Sequence, residues 1–189
     1  MKVMQRLRQS ALGLLAIAGL AAVGNAAIAQ TTDGFTIFGG VDSEYRLSYY
    51  IDNNERRSPD ARYYLRVAGR KLISRDVLEI QISYPEKFEE NGGHFTNANI
   101  ELRDGTGRGG EAIPVDEIVI NPEENLIEIY PEEPIPANSS FVIAVFDVRN
   151  PNRYGNHYFV LDVLYQGGLL REFAGIWPIE ASAELDGDN

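Results

Sequence analysis

Between residues 78 and 84 the chain alternates strictly. Leu78, Ile80, Ile82 and Tyr84 are apolar, Glu79, Gln81 and Ser83 are polar, and Pro85 ends the run. Successive side chains of a strand point to opposite faces, so this spacing lays one face on a core and the other in water, as in an antiparallel sheet. Tyr45, Leu47, Tyr49 and Ile51 repeat the pattern around Arg46, Ser48 and Tyr50. Shorter strands are expected over residues 36–38, 63–67, 100–102, 117–120 and 126–130. Residues 140–146 (SFVIAVF) and 158–165 (YFVLDVLY) are apolar on both faces apart from Asp162, which suits central strands covered on both sides. Residues 169–176 are expected to follow the Gly167-Gly168 turn as the second arm of a hairpin. Turn residues punctuate these runs at Asp52-Asn53-Asn54, Asn91-Gly92-Gly93, Asp104-Gly105, Asn121-Pro122 and 131–136. No segment sustains a helical period, and residues 58–64 could hold at most one short turn of helix. The pattern predicts an all-β fold, a single antiparallel β-sandwich of immunoglobulin-like architecture.

The first 29 residues read differently. Lys2, Arg6 and Arg8 precede an almost unbroken apolar run over 11–23, and Ala27-Ile28-Ala29 places small residues where a signal peptidase reads them. That predicts a secretory signal peptide cleaved after Ala29. At about 13 residues the run is shorter than the roughly 20 that span a bilayer, so no membrane span is expected after signal cleavage. The expected organisation is a signal peptide over 1–29, a β-sandwich domain over 30–180 and a flexible acidic tail over 181–189. With no cysteine, disulfides, thiol chemistry and a lipid-modified cysteine are excluded, and core packing alone must hold the exported domain. Without Lys2, Arg6 and Arg8, 14 of the 17 Lys and Arg remain against all 28 carboxylates, a mature formal charge of −14. Such a surface repels phosphate backbones, so no nucleic-acid partner is expected; it suits cations or basic partners.

Motifs for catalysis are thin. Gly105-Thr106-Gly107-Arg108-Gly109-Gly110 matches the letters G-x-G-x-x-G after an expected strand. A dinucleotide site needs a helix to begin there, and Pro114, just beyond, denies it. No serine sits in G-x-S-x-G, and the two histidines, His94 and His157, lie in or beside loops. Glu89-Glu90, Glu123-Glu124 and Glu132-Glu133 read as solvated loop charge rather than a buried catalytic pair. No catalytic residue is therefore assigned, and the chain is not read as an enzyme. Two histidines without cysteine do not make a structural zinc site.

Calcium needs only clustered oxygens, and Asp147, Asn150, Asn152 and Asp162 are its candidate ligands; no other cofactor is expected. Asp162 interrupts an apolar strand and should meet a cation, with Arg149, Arg153 and Arg171 to choose from. Tyr49-Tyr50, Tyr63-Tyr64, Tyr154, Tyr158 and Trp177 could form a sugar-stacking platform where they are exposed. In the stretch VRNPNRYGNHY (148–158), Asn150 and Pro151 should close one strand. Gly155 should supply a positive φ for the turn, with His157 and Tyr158 opening the next strand.

The longer stretch VFDVRNPNRYGNHYFVLDVLYQGG (145–168) resembles a family of secreted cyanobacterial proteins catalogued as domain of unknown function 2808. Its members carry a proline-containing turn upstream, here Glu133-Pro134-Ile135-Pro136-Ala137-Asn138 before SFVIAVF. They close with a short strand like residues 172–179. The resemblance is good over 131–179 and looser over 35–120. It implies an exported, periplasmic or extracellular all-β domain, and brings no catalytic residue with it. The function expected is that of a non-catalytic envelope protein acting by binding or structure, with envelope polysaccharide or another envelope protein as partner. The alternatives are a calcium-assisted or aromatic-platform binder of envelope polysaccharide and a carboxylate-dependent hydrolase.

Overall fold

The computed structural model describes residues 35–36 and 40–182. The expected signal peptide over 1–29 lies outside the described residues, as do residues 37 and 38 of the first expected strand and 183–189 of the expected tail. In chain order the strands are β1 (Phe35–Thr36), β2 (Gly40–Val41), β3 (Tyr49–Asp52), β4 (Ala61–Val67), β5 (Val77–Ser83), β6 (Asn99–Asp104), β7 (Val115–Asn121), β8 (Leu126–Pro131), β9 (Phe141–Val148), β10 (Gly155–Tyr165) and β11 (Glu172–Ala181). β1 pairs with β2; the others form a four-stranded sheet, β3-β4-β9-β6, and a five-stranded sheet, β11-β10-β5-β8-β7. Every strand pair is antiparallel. One core joins the two larger sheets, with Tyr63, Leu65, Ile143 and Val145 on one side and Ile80, Ile129, Phe159, Leu161 and Ile179 on the other. Trp177 is fully buried and donates Nε1–H to the Arg66 carbonyl at 3.1 Å, tying β11 to the opposite sheet. The chain therefore forms the immunoglobulin-like sandwich that its alternation predicts.

β9 is covered on both faces, as its composition suggests. Phe141, Ile143 and Val145 enter the main core, while Val142 and Ala144 pack with Tyr64 and Phe146 on the outer side. β10 departs from the expectation. Phe159, Leu161, Val163 and Tyr165 are buried, but Val160, Asp162 and Leu164 are only half-buried. An apolar run cannot reveal whether its second face is covered, because the side chains of neighbouring elements decide that. β5 departs too. Leu164 opposes Glu79 and Tyr165 opposes Val77, so Leu78 is bulged, Val77 enters the core in its place, and Glu79 stands on the outer face.

Residues 58–64 form no helical turn and run into β4. The helix lies instead at α1 (Glu86–Glu90), where Phe88 is fully buried and stacks on Phe95 at 5.1 Å. Five residues are too few to display a helical period, and burying one aromatic ring contributes about 1.5–3 kcal/mol that so short a helix lacks by itself. Residues 45–47 are not part of β3. Leu47 N–H donates to Ile176 O and Ile176 N–H to Tyr45 O, both at 2.8 Å, so this segment covers the free edge of β11. Gly175 permits the approach, since a Cβ there would lie 2.8 Å from Leu47 Cγ and from Tyr45 O. Among the described residues no helix is long and apolar enough to cross a membrane.

Candidate functional site

The loop between β9 and β10 is organised by one amide. Asn150 Oδ1 accepts from the Tyr63 hydroxyl at 2.7 Å, and Nδ2 donates to Glu55 O at 3.0 Å, Asn53 O at 3.3 Å and Asn54 Oδ1 at 3.4 Å. Its backbone N–H donates to Ser58 O at 2.8 Å. Asn150 is fully buried, so its oxygen is committed inside the protein. Pro151 is buried beside it, and its carbonyl accepts from Arg57 N–H at 3.0 Å and from Ser182 Oγ at 2.7 Å. Gly155 does not take the positive φ expected of it. It is the first residue of β10, opposite Ala181, and the left-handed residue is Asp147, at φ 56°. What Gly155 offers is small size, because a Cβ there would approach His157 Nε2 at 3.3 Å.

The four calcium candidates lie in β9, in β10 and in the loop between them. Asn150 is the buried hub, Asp147 and Asn152 are exposed, and Asp162 stands in mid-β10 between Gln81 and Phe173. Among the described residues no three His, Cys, Asp or Glu side chains form a group that could hold a metal ion. Of the cations proposed for Asp162, Arg171 is the one that acts on it. Burial pushes the Asp162 carboxyl above its usual range, and the Arg171 charge draws it back. Arg171 itself hydrogen-bonds Glu79 through Nε at 2.8 Å and Glu128 at 2.6 Å, closing an ion-pair group on the outer face of the five-stranded sheet. His157 is buried edge-on to Phe88 at 5.2 Å, with Nε2 unpartnered. Burial, with Lys87 nearby, lowers its pKa.

The densest chemistry lies on the outer face of the four-stranded sheet. Alternation turns Tyr50 and Asp52 of β3, Arg62, Tyr64 and Arg66 of β4, Val142, Ala144 and Phe146 of β9, and Asn99, Glu101 and Arg103 of β6 outward. Register arranges them in rows. Arg66 and Arg103 flank Val142; Tyr50, Tyr64, Ala144 and Glu101 form the next row; Asp52 opposes Arg62, and Phe146 opposes Asn99.

Residues 105–110 fold back over this face as a strap. Arg66 Nε–H donates to Gly107 O at 2.6 Å. The Arg108 guanidinium lies 4.6 Å from the Tyr50 ring centre and 5.5 Å from that of Tyr64, and its NH2 group reaches Asp52 Oδ1 at 2.7 Å. The Arg103 guanidinium lies 5.6 Å from Phe146 and bonds Glu101 Oε2 at 2.9 and 2.6 Å. Gly109 has φ +87°, and a Cβ there would stand 2.5 Å from Arg103 Cβ, so only glycine lets the strap lie this close. The G-x-G-x-x-G letters thus belong to a strap. No helix follows them, and Ala112 instead bridges to Arg103.

The aromatic platform expected from the sequence is partly roofed. Tyr50 is 41% exposed but Tyr64 only 6%, while Tyr63 and Trp177 belong to the core. The Arg108 guanidinium covers Tyr64 and part of Tyr50. Sequence reasoning noted the tyrosines and missed the arginines. The signal for two of them was present, because Arg62 and Arg66 share strand parity with Tyr64. Arg103 and Arg108 reach the same face only through β6 pairing and the strap.

A family model described as protein of unknown function (DUF2808) matches residues 35–180. No curated protein matches the chain. Solved structures similar to it include the collagen-binding domain of a Staphylococcus aureus adhesin, 15% identical, covering 69% of this chain and 93% of that one, with a TM-score of 0.38. Another is ACE19, the collagen-binding subdomain of the Enterococcus faecalis surface protein ACE, 9% identical, covering 70% and 96%, with a TM-score of 0.41. A third is the serine-rich repeat adhesion glycoprotein Srr1 of Streptococcus agalactiae, 12% identical, covering 71% and 46%, with a TM-score of 0.41. The chain spans about half the length of some of the solved proteins that it matches.

Proposed function

The chain belongs to the family described as protein of unknown function (DUF2808), and from that premise we propose that it is an exported, non-catalytic binding module of the cell envelope. Its ligand is envelope polysaccharide, taken up on the outer face of the four-stranded sheet. The observation that carries this reading is the setting of Arg66, Arg103 and Arg108 over Tyr50, Tyr64 and Phe146. The rings hold the guanidiniums in place, and the forked donors are oriented before a ligand arrives. Because the bed is four paired strands, little ordering remains to be done on binding.

Retention of the purified protein on immobilised cell-wall and exopolysaccharide fractions tests the reading. At least one fraction is expected to retain it, and the Tyr50→Ala, Arg108→Ala double variant should bind about tenfold more weakly. Silence across all fractions, or a double variant retained like the wild type, would sink the proposal. Capture of an envelope protein by the same face, with no polysaccharide bound, would transfer the role to a protein partner.

A further inference from the structure

The charge of this face opposes the charge of the molecule. The chain carries a formal −11, yet the outward rows and strap hold the guanidiniums of Arg62, Arg66, Arg103 and Arg108 against the carboxylates of Asp52 and Glu101. Each guanidinium has five N–H donors, and the contacts within the protein use only some of them. Arg66 commits Nε to Gly107 O, Arg108 commits NH2 to Asp52, and Arg103 commits Nε and NH2 to Glu101. Arg62 is exposed. Tyr64 is only 6% exposed beneath Arg108, and Tyr50, 41% exposed, has the same guanidinium 4.6 Å from its ring centre, so a ligand reaching either ring also meets a guanidinium. A neutral sugar would stack on open rings, whereas forked guanidinium donors match carboxylates and sulfates.

Building on the polysaccharide-binding reading, we propose that the ligand is an acidic polysaccharide whose carboxylate or sulfate groups are held by Arg62, Arg66, Arg103 and Arg108. Arg62 and Arg66 lie four residues apart on β4, about 13 Å along the strand, and Arg66 and Arg103 lie either side of β9, about 10 Å apart. Such an array suits charges repeated along a polymer better than one small anion. At an ionic strength of 0.15 M each charge is felt over only about 8 Å. A chain lying on this face therefore senses these guanidiniums before the carboxylates elsewhere on the protein.

The test is titration at about 0.15 M ionic strength with a carboxylated polymer (polygalacturonate), a sulfated one (dextran sulfate) and a neutral one (dextran) of matched length. The lead variant is Arg62→Gln, whose side chain is exposed and which sets no second carboxylate opposite Asp52; Arg66→Gln and Arg103→Gln follow, each with its melting temperature measured. At least one acidic polymer should bind, dextran should bind at least about tenfold more weakly, and Arg62→Gln should weaken the acidic polymer by at least about threefold at an unchanged melting temperature. The two acidic arms distinguish carboxylate from sulfate. If dextran binds as tightly as the acidic polymers and only Tyr50→Ala weakens it, the charge assignment is overturned while the polysaccharide reading survives. If no polymer or native fraction binds, both fall. Equal binding of duplex DNA or anionic lipid vesicles would overturn the assignment in favour of an unselective anion surface.

Discussion

Replacing Asn150 by Ala should be among the most damaging single changes outside the hydrophobic core. The substitution strands the Tyr63 hydroxyl, which is fully buried and has Asn150 Oδ1 as its acceptor at 2.7 Å. A buried donor left without a partner costs about 1–3 kcal/mol. The amide donors to Asn53 O and Glu55 O vanish as well. Those carbonyls lie in a loop that water can reach, so their loss adds about 1 kcal/mol each. The total is about 3–5 kcal/mol, a large part of the 5–15 kcal/mol typical of a folded domain. For a chain of this size that lowers the melting temperature by roughly 6–20 °C. Burial also pushes the Tyr63 phenol far above its usual pKa, so it remains a donor at any working pH.

Urea unfolding followed by circular dichroism, run as a double-mutant cycle with Tyr63→Phe, isolates the contact. In the wild-type background Tyr63→Phe should destabilise, because it leaves the Asn150 oxygen unpaired. In the Asn150→Ala background it should cost nothing or restore stability, since the stranded hydroxyl is gone. The coupling expected is about 1–2 kcal/mol. If the two single effects add within about 0.5 kcal/mol, or Asn150→Ala costs less than about 1 kcal/mol, the hub argument is refuted.

Two further outcomes follow from buried groups and tight glycines. Because burial and Lys87 hold the His157 pKa low, the unfolded chain takes up the proton first. The stability that His157 contributes is therefore complete above about pH 6.5 and is lost as the pH falls below it. The wild type should lose more stability than His157→Phe between about pH 7.5 and 5.5, and equal losses in urea midpoint would count against a neutral buried imidazole. Gly109→Ala should destabilise more than Gly105→Ala. Both positions have positive φ, but only at 109 does the added Cβ strike Arg103, whereas nothing lies within 4 Å at 105. Hydrogen exchange over 105–110 should quicken in Gly109→Ala alone; equal effects would mean that the strap is not seated on Arg103.

Strand existence was legible in the chain because the parity of side chains along a strand is local. Ile80, Ile82 and Tyr84, or Tyr49 and Ile51, alternate whatever lies across from them, and Asn, Gly and Pro mark the turns by their own backbone preferences. The same locality explains the failures. The bulge at Leu78, the half-open outer face of β10 and the five-residue helix around Phe88 depend on what packs against them, and alternation carries no record of that. Asn150 could be read as a turn-maker from its neighbours, but not as the partner of Tyr63, 87 residues away.

The candidate site divides along the same line. Tyr50, Tyr64, Arg62 and Arg66 share strand faces that the sequence determines by itself. The pairing of Arg66 and Arg103 across Val142, and the strap that lays Arg108 over Tyr50 and Tyr64, were decided only by tertiary structure, because strand order and loop folding are set by contacts between distant segments.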